Sequence, residues 1–252
     1  MLTDKIIISA SKSFGNYNKD VVSQLTAQGY KLVYDSWPPK NVAIDRVFGL
    51  VVSTQKVDAA SLAAAANLKI VAKYGAGVDN IDIKAATARG IAVAVAGDAN
   101  AEAVAEMALS LMMSISRNIP AADRAVRSGK WDRLVGHEIF GKTVGVIGLG
   151  AIGRIFAKRI ASFEVKLLGY DPFWNEDFAR QYSVKRASVD EIFSEADFIS
   201  IHCPLTDETR GLVNRKRLAM MKPGAYLVNT SRGPVVDETA LFEALSEKRI
   251  AG

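Results

Sequence analysis

The stretch from residue 143 to residue 153 reads TVGVIGLGAIG, and it decides the fold class of this chain. Its first five residues, 143–147, form a mostly apolar run of the length typical of a strand that is covered on both faces. Glycines follow at 148, 150 and 153, and a helical pattern covers residues 152–163. The stretch therefore predicts a strand, a tight glycine loop and a helix in direct succession.

This succession is the context that a dinucleotide-binding loop requires. Gly148 permits a tight turn, Gly150 lets the backbone approach a pyrophosphate, and Gly153 lets helix and strand pack closely. The phosphates then lie at a helix N-terminus, where N–H groups point at them. Asp171 ends the next predicted strand, and its carboxylate can accept from a ribose 2′-OH and would repel a 2′-phosphate, which favours NAD over NADP. The alternative is a plain tight turn and a helix-capping aspartate.

Short apolar runs alternate with helical patterns on both sides of the loop, which predicts parallel βαβ units. Before the loop, strands are predicted at residues 5–9, 31–34, 49–52, 70–73 and 91–95, and helices at 18–28, 59–66, 83–88 and 101–116. After it, strands are predicted at 166–170, 198–202 and 225–229, and helices at 216–221 and 238–247. Ser188 and Glu191 form a capping box for one more short helix.

One segment, residues 117–141, departs from this alternation because it is polar and basic and contains Pro120, Gly129 and Gly136. We interpret it as an excursion between two domains or as an arm that reaches a partner subunit. Trp131 within it is a large apolar group that suits an anchor on a partner. The alternative is that the indole packs under its own loop.

The composition narrows the class of protein further. The chain has 252 residues, 49% of them hydrophobic and 23% charged, which is typical of a globular protein. Its longest stretch without a charged residue is 11 residues, whereas a membrane helix needs about 18 apolar residues, so no membrane span is expected. Charges at positions 4 and 5 argue against a signal peptide, and with a single cysteine they favour a cytoplasmic location.

The cysteine count and the net charge limit which kinds of ligand the protein can bind. Cys203 is the only cysteine, which excludes an internal disulfide and a cysteine-rich zinc site, and we predict no metal. The formal charge of +5 comes from scattered lysines and arginines rather than a basic run. This distribution favours a small anionic ligand over nucleic acid, unless the excess is only solvated surface.

Four further stretches resemble one known family. They are residues 73–82 (KYGAGVDNID), 100–106 (NAEAVAE), 202–206 (HCPLT) with 208–210 (ETR), and 229–237 (NTSRGPVVD). Together with the glycine loop they resemble the D-isomer-specific 2-hydroxyacid dehydrogenases, and they look most like the phosphoglycerate dehydrogenase branch. The resemblance covers essentially the whole chain.

The resemblance implies an α/β architecture of two doubly wound domains. A flavodoxin-like substrate-binding domain is expected over residues 1–98, and a Rossmann NAD-binding domain, incomplete at its C-terminus, over residues 99–252. The implied activity is hydride transfer between nicotinamide and C2 of a small, anionic, phosphoglycerate-like D-2-hydroxy acid. A homodimer is implied, with the segment 117–141 as the arm, and no nucleic-acid or membrane partner.

The resemblance also implies roles for individual residues. Gly75, Ala76 and Gly77 match the loop whose backbone N–H groups hold the substrate carboxylate, although a plain turn would look the same. Arg232 matches the residue that binds this carboxylate and polarises the keto oxygen; the alternative is a surface ion pair. The implied cofactor-binding positions are Val104, Gly148, Gly150, Ala151, Ile152, Gly153, Asp171, Cys203, Pro204, Thr230, Ser231 and Arg232.

Three residues have side chains that could act in catalysis, but each is given a supporting role or no role. Cys203 is expected to line the cofactor rather than to act as a nucleophile, since its motif contains no histidine–aspartate arrangement. His202 is expected to support the adenosine side of the cofactor site, away from the hydride. His137 lies in the segment 117–141 and receives no role.

The chain departs from the family pattern in one respect. The family's proton transfer needs a histidine with a glutamate beside it, and both are expected beyond position 252. The chain thus looks like a family member cut within its cofactor domain, and an inactive fragment is one alternative. A non-enzymatic NAD-sensing module of the same fold is a second, and an amino-acid dehydrogenase of similar architecture is a third, although residues 231–233 (SRG) argue against it.

Overall fold

The computed structural model describes residues 5–16 and 19–252. The chain divides into two compact units, Met1–Asn100 and Ala101–Gly252. The predicted domain boundary, between residues 98 and 99, lies two positions earlier. Within the described residues, none of the helices combines the length and the apolar character needed to cross a membrane.

The first unit contains one parallel sheet with the strand order β2-β1-β3-β4-β5. This is the flavodoxin-like order that was predicted. Its strands are β1 Lys5–Ser9, β2 Tyr30–Tyr34, β3 Val47–Val52, β4 Ile70–Lys73 and β5 Ala92–Val95, and its helices are α1 Lys19–Ala27, α2 Ala59–Ala64 and α3 Ile83–Ala88, with a 3-10 turn at Ile44–Arg46. The predicted first residue of α1, Asn18, lies outside the described residues.

Burial explains why these strands are continuous apolar runs. The residues from Ile6 to Ile8 are all buried, as expected for a strand covered on both faces. The two short helices beside the sheet begin at aspartates: the Asp58 carboxylate accepts the Ser61 N–H at 2.9 Å, and Asp82 accepts that of Ala85 at 2.9 Å. These side chains satisfy N–H groups that have no partner in the first helical turn.

The second unit contains a parallel sheet with the order β10-β9-β6-β7-β8, the Rossmann order that was predicted. Its strands are β6 Thr143–Ile147, β7 Lys166–Tyr170, β8 Val184–Arg186, β9 Phe198–Ile201 and β10 Tyr226–Asn229. Its helices are α4 Ala101–Ser116, α5 Ile119–Arg127, α6 Ala151–Ile160, α7 Glu176–Gln181, α8 Val189–Glu195, α9 Arg215–Met220 and α10 Glu238–Ser246, with 3-10 turns at Ala161–Phe163 and Gly233–Val235.

The central strand β6 is packed on both faces. Val144 and Val146 belong to a cluster with Phe156 of α6, whereas Ile147 belongs to a second cluster with Ile192 of α8. A Cβ at Gly145 would overlap with the Ile192 side chain, so α8 lies directly on the strand there. The predicted capping box that starts α8 is present, with Ser188 and Glu191 bonded reciprocally.

The sequence patterns did not predict two helices and one strand of the second unit. The segment 117–141 contains a helix, α5, with Pro120 in its first turn, where a missing N–H costs nothing. The helix α7 has only six residues and depends on the Asn175 side chain, which accepts the Phe178 N–H at 2.9 Å. The strand β8 has three residues at the sheet edge, of which only Val184 is buried.

The segment 117–141 folds back on the end of α4. His137 N–H donates to the Ser116 carbonyl at 2.7 Å, and the Asn118 amide donates to the Val135 carbonyl at 2.7 Å. Trp131 lies in the chain between the residues joined by these two hydrogen bonds, and it is 90% exposed. The alternative that the indole packs under its own loop is therefore wrong.

Candidate functional site

The glycine loop of the second unit is held by backbone contacts that exclude larger residues. Gly148 has a φ of +93°, and a Cβ on it would lie 2.6 Å from the Cys203 nitrogen. A Cβ on Gly153 would overlap with the Gly148 carbonyl oxygen, which is the close helix–strand packing predicted for the third glycine. These two glycines are required by the fold itself.

Gly150 differs because nothing in the protein requires it to be small. It precedes α6 as its N-cap, makes no side-chain cap, and a Cβ on it would meet no atom within 4 Å. The space in front of the helix N-terminus is therefore open, and the N–H groups of the first turn, at Ala151 and Ile152, lie beside it. An open, uncapped helix N-terminus is suited to a phosphate.

Asp171 lies directly after β7 and next to this loop. One carboxylate oxygen accepts the Leu149 N–H at 2.7 Å, and the other accepts the Phe173 N–H at 2.8 Å. Each oxygen retains a lone pair that can accept from a hydroxyl group. Asp171 therefore anchors the glycine loop, which the sequence did not indicate, and can also accept from a ribose.

His202 and Cys203 lie behind the loop. Burial lowers the pKa of His202 to about 4, so the imidazole is neutral near pH 7. Its ring bonds to the Ser200 hydroxyl at 2.9 Å and to the Thr230 hydroxyl at 3.4 Å. Burial, with the nearby charge of Asp171, raises the pKa of the Cys203 thiol, which disfavours the thiolate that a nucleophile needs.

The loop after β10 carries Arg232 and is organised by a residue that the sequence analysis missed. The side-chain oxygen Oδ1 of Asn229 accepts from the Ser231 N–H at 3.0 Å and from the Ser231 hydroxyl at 2.7 Å, and its Nδ2 donates to the Arg232 backbone carbonyl at 2.9 Å. The Arg232 guanidinium donates to the Ser231 carbonyl at 2.9 Å. An asparagine at the last position of a strand, before a predicted loop, is the signal that could have identified this role.

In the first unit, Gly75 to Gly77 form the predicted turn after β4. Gly75 has a φ of +140°, and its N–H donates to the Lys73 carbonyl at 3.0 Å, so this N–H already has an acceptor within the loop. The Lys73 ammonium group bonds to the Ser53 carbonyl and, at 2.7 Å, to the Asn80 side chain. Asn80 thus positions the lysine beside the turn.

The second unit brings most of the predicted cofactor positions together. Gly148 contacts both Gly153 and Cys203. The Asp171 carboxylate accepts from Leu149, the residue after Gly148, and Thr230 is connected to this group through its contact with His202. Pro204 is exposed beside them, and Val104 lies half-buried on α4, a helix that packs against α6 and β10.

These residues fit a dinucleotide. The fit rests on the open space at Gly150, the uncapped N-terminus of α6 and the acceptor at Asp171. Among the described residues, no group of three or more histidine, cysteine, aspartate or glutamate side chains is placed to hold a metal ion.

Comparison with known proteins identifies the family. Residues 109–252, more than half of the chain, match the model of the D-isomer specific 2-hydroxyacid dehydrogenase NAD binding domain. The chain belongs to this family, as the sequence motifs predicted, and NAD as the cofactor agrees with the domain that it contains.

Individual relatives give the extent of the similarity. The chain is 49% identical to D-3-phosphoglycerate dehydrogenase of Mycobacterium tuberculosis over 199 residues, which are 78% of this chain and 38% of that protein. It is 42% identical to glyoxylate reductase of Korarchaeum cryptofilum over 85% of this chain and 68% of that protein. The structure of D-lactate dehydrogenase from Aquifex aeolicus, complexed with NAD and lactic acid, superposes with a TM-score of 0.87 at 26% identity, over 98% of this chain and 75% of that one.

The buried histidine predicts a sensitivity of the fold to mild acid. In the unfolded chain His202 binds a proton near pH 6.5, whereas the folded protein resists protonation until about pH 4. The free energy of unfolding should therefore fall as the pH drops through this window, by about 2 kcal/mol between pH 7 and pH 5. Urea unfolding at the two pH values measures this loss, and His202→Gln should remove it. An equal loss in the variant would show that another group is responsible.

Asp171 predicts the choice between cofactors. Asp171→Ala should weaken NADH binding about tenfold and NADPH binding much less, because the carboxylate supplies both the attraction to a 2′-OH and the repulsion of a 2′-phosphate. Release of the Leu149 N–H affects both cofactors equally, so the ratio of the two dissociation constants is the informative quantity. Isothermal titration measures it. Tighter NADPH binding by the unaltered protein would contradict the assignment.

Proposed function

We propose that the chain is the core of an NAD-dependent oxidoreductase acting at C2 of a small D-2-hydroxy acid or the matching 2-keto acid. The observation that carries the proposal is the occurrence, in one Rossmann unit, of the glycine loop with Asp171 and of an arginine on a loop held by Asn229. When bound, NAD supplies the nicotinamide that exchanges a hydride with C2. The chain spans 38% of the length of the phosphoglycerate dehydrogenase that it matches.

Arg232 is assigned to the substrate. A guanidinium group binds a carboxylate through two parallel hydrogen bonds and retains its charge at all working pH values, so it can also polarise a keto oxygen. The hydrogen bonds of Asn229 to Ser231 and to the Arg232 backbone restrict the loop that carries it. In the first unit, the turn Gly75–Gly77 stays a prediction for the substrate carboxylate, through the N–H groups of Ala76 and Gly77, because the Gly75 N–H bonds to the Lys73 carbonyl.

The proton required at the substrate oxygen does not come from His202. This imidazole is neutral, mostly buried and bonded on both ring nitrogens to hydroxyl groups. Its contacts with Ser200 and Thr230 connect the strand β9 to the segment after β10 and keep Thr230 in place. His202 is therefore a positioning residue for the cofactor side.

The substrate class is small 2-hydroxy and 2-keto acids. The names of the relatives, a phosphoglycerate dehydrogenase, a glyoxylate reductase and a lactate dehydrogenase, share this chemistry and differ in the group attached to C2. A phosphoglycerate-like substrate stays a prediction, supported by the 49% identity and by the net charge. A cytoplasmic location also stays a prediction.

The function is tested by turnover and by binding together. Both measurements use a chain that continues beyond position 252 and includes the histidine and glutamate expected there. NADH oxidation with pyruvate, glyoxylate and hydroxypyruvate distinguishes an oxidoreductase from a module that only senses NAD. In this chain Arg232→Lys keeps the charge and loses the two-point geometry, so kcat/KM should fall about 100-fold or more, equivalent to roughly 2.7 kcal/mol. The affinity of the NADH complex for oxamate, an unreactive analogue of a 2-keto acid, should fall in parallel, while NADH affinity stays nearly constant.

A matched control is Arg249→Lys, at an exposed arginine that pairs with Glu247 at 2.6 Å. It should leave all three quantities unchanged. If Arg232→Lys retains the kcat/KM and the oxamate affinity of the unaltered protein, the role assigned to Arg232 is wrong.

We further propose a homodimer that uses the segment 117–141. Its exposed apolar side chains are concentrated on α5 and the following loop, and they include Ile119, Val126, Trp131, Val135 and Phe140. Exposed apolar side chains concentrated in one segment are typical of an interaction surface.

Trp131→Ser should weaken this dimer, because the most exposed aromatic side chain of the segment would no longer be buried by a partner. Light scattering at micromolar concentration measures the mass, after circular dichroism has verified the fold. Phe173→Ser, at an equally exposed aromatic side chain outside the segment, should leave the mass unchanged. A monomeric unaltered protein would refute the dimer.

A further inference from the structure

One arginine of α6 lies beside the open space in front of the glycine loop and has received no role. The Nε atom of Arg154 donates to the Gly150 carbonyl at 3.4 Å. Because Nε carries the guanidinium carbon, the rest of the charged group lies close to the same residue. A Cβ on Gly150 would meet no atom within 4 Å. The arginine therefore borders this open space without filling it.

The spacing along α6 explains how the arginine reaches this position. Arg154 follows Ala151, the first residue of α6, by three positions, and residues at this spacing are neighbours on one face of a helix. Long side chains in a helix point toward its N-terminus and cover the preceding turn. Ala151 carries only a methyl group, which leaves room for the longer side chain to pass over it. A full positive charge thus accompanies the N–H groups at the start of the helix.

The Arg154 guanidinium has no counter-ion within the part of the chain that the structure describes. Its side chain is half-buried, and none of the ion pairs among those residues includes it. The other arginine of α6, Arg159, differs because it pairs with Glu102 and, at 3.4 Å, with Glu106. A partly buried cation is stabilised by an anion that pairs with it. A ligand can supply the anion that Arg154 lacks.

The glycine loop contributes no side-chain charge of its own. Residues 148–153 (GLGAIG) are all uncharged, and the carboxylate of Asp171 bonds to the Leu149 N–H at 2.7 Å. A dinucleotide brings a further negative charge on each phosphate group to this loop. The helix dipole is equivalent to about half an elementary charge, so it offsets only part of them. Among the charged residues of α6, Arg154 is the closest in sequence to the loop.

We propose that Arg154 is a cofactor-binding residue whose guanidinium holds the pyrophosphate of NAD at the start of α6. The inference rests on the proposed function, whose cofactor site it extends. A guanidinium binds phosphate oxygens through two parallel hydrogen bonds and keeps its charge at any working pH. The bond to the Gly150 carbonyl keeps the group beside the loop. The pyrophosphate is then held by backbone N–H groups of the first turn and by one side chain.

Cofactor fragments test this assignment on the 252-residue chain. ADP-ribose contains the pyrophosphate, whereas adenosine contains only the base and the ribose. Arg154→Gln should weaken ADP-ribose and NADH binding about tenfold, because a charge-assisted hydrogen bond is lost, and should leave adenosine binding unchanged. Arg154→Lys keeps the charge without the planar fork, so its affinities should lie between the two. Isothermal titration measures ADP-ribose and NADH, and competition with NADH measures adenosine.

Two controls distinguish a direct contact from a general effect of charge. Lys158→Gln removes a positive charge from an exposed side chain one turn farther from the loop, and it should leave the ADP-ribose affinity unchanged. Added salt screens a pair of charges, so it should weaken ADP-ribose binding to the unaltered protein more than to Arg154→Gln. Asp171→Ala should weaken adenosine and ADP-ribose alike, because both contain the ribose.

The outcomes separate this inference from the proposed reaction. If Arg154→Gln loses ADP-ribose affinity while the chain that continues beyond position 252 turns over no 2-keto acid, the role of Arg154 stands and the reaction is refuted. Turnover together with an unchanged ADP-ribose affinity in the variant would support the reaction and overturn the role of Arg154. An equal loss of adenosine and ADP-ribose binding would show that Arg154 only supports the fold of the loop, which also overturns the inference. So would an unaltered protein that does not bind ADP-ribose.

Discussion

The second unit depends on one close approach of backbone to backbone. Gly153 at the start of α6 meets the carbonyl of Gly148 at the end of β6, and Gly148 in turn touches the backbone of His202 and Cys203 after β9. No side chain fits at either contact. Because α6, β6 and β9 meet there, the same contact fixes the direction of the helix and the position of its open N-terminus. The fold and the phosphate site therefore have a common origin.

The sequence revealed the strands with longer apolar runs, including the edge strands β2, β5 and β10, and missed the short elements with few buried residues. β1 and β6 are recognisable because both faces are covered, so apolar residues run without interruption. β8 has one buried residue and pairs with one neighbour, so it leaves almost no apolar pattern. α5 was missed because Pro120 suggests a break, although proline is tolerated in a first turn.

The candidate site shows the same division. The glycine loop and Asp171 are local in sequence and their spacing has a physical meaning, so they could be identified without a structure. The hydrogen bond between His202 and Thr230 joins residues from different segments, and no spacing in the sequence encodes it. A cavity in the first unit is similar, because its wall combines residues at or after the ends of β1, β2 and β3, three strands that are adjacent only after folding.

The two hydrogen bonds that Asp171 accepts affect how the preference for NAD or NADP can be redesigned. Its carboxylate accepts the Leu149 N–H of the glycine loop through one oxygen and the Phe173 N–H through the other. Exchange of this side chain for one without an acceptor, such as alanine or a cationic residue, removes the repulsion of a phosphorylated ribose and the acceptor that holds the loop at the same time. A redesign by this route therefore needs two changes, a new cation for the phosphate and a new acceptor for Leu149. Made one after the other, these changes pass through a variant in which the loop is loose for both coenzymes.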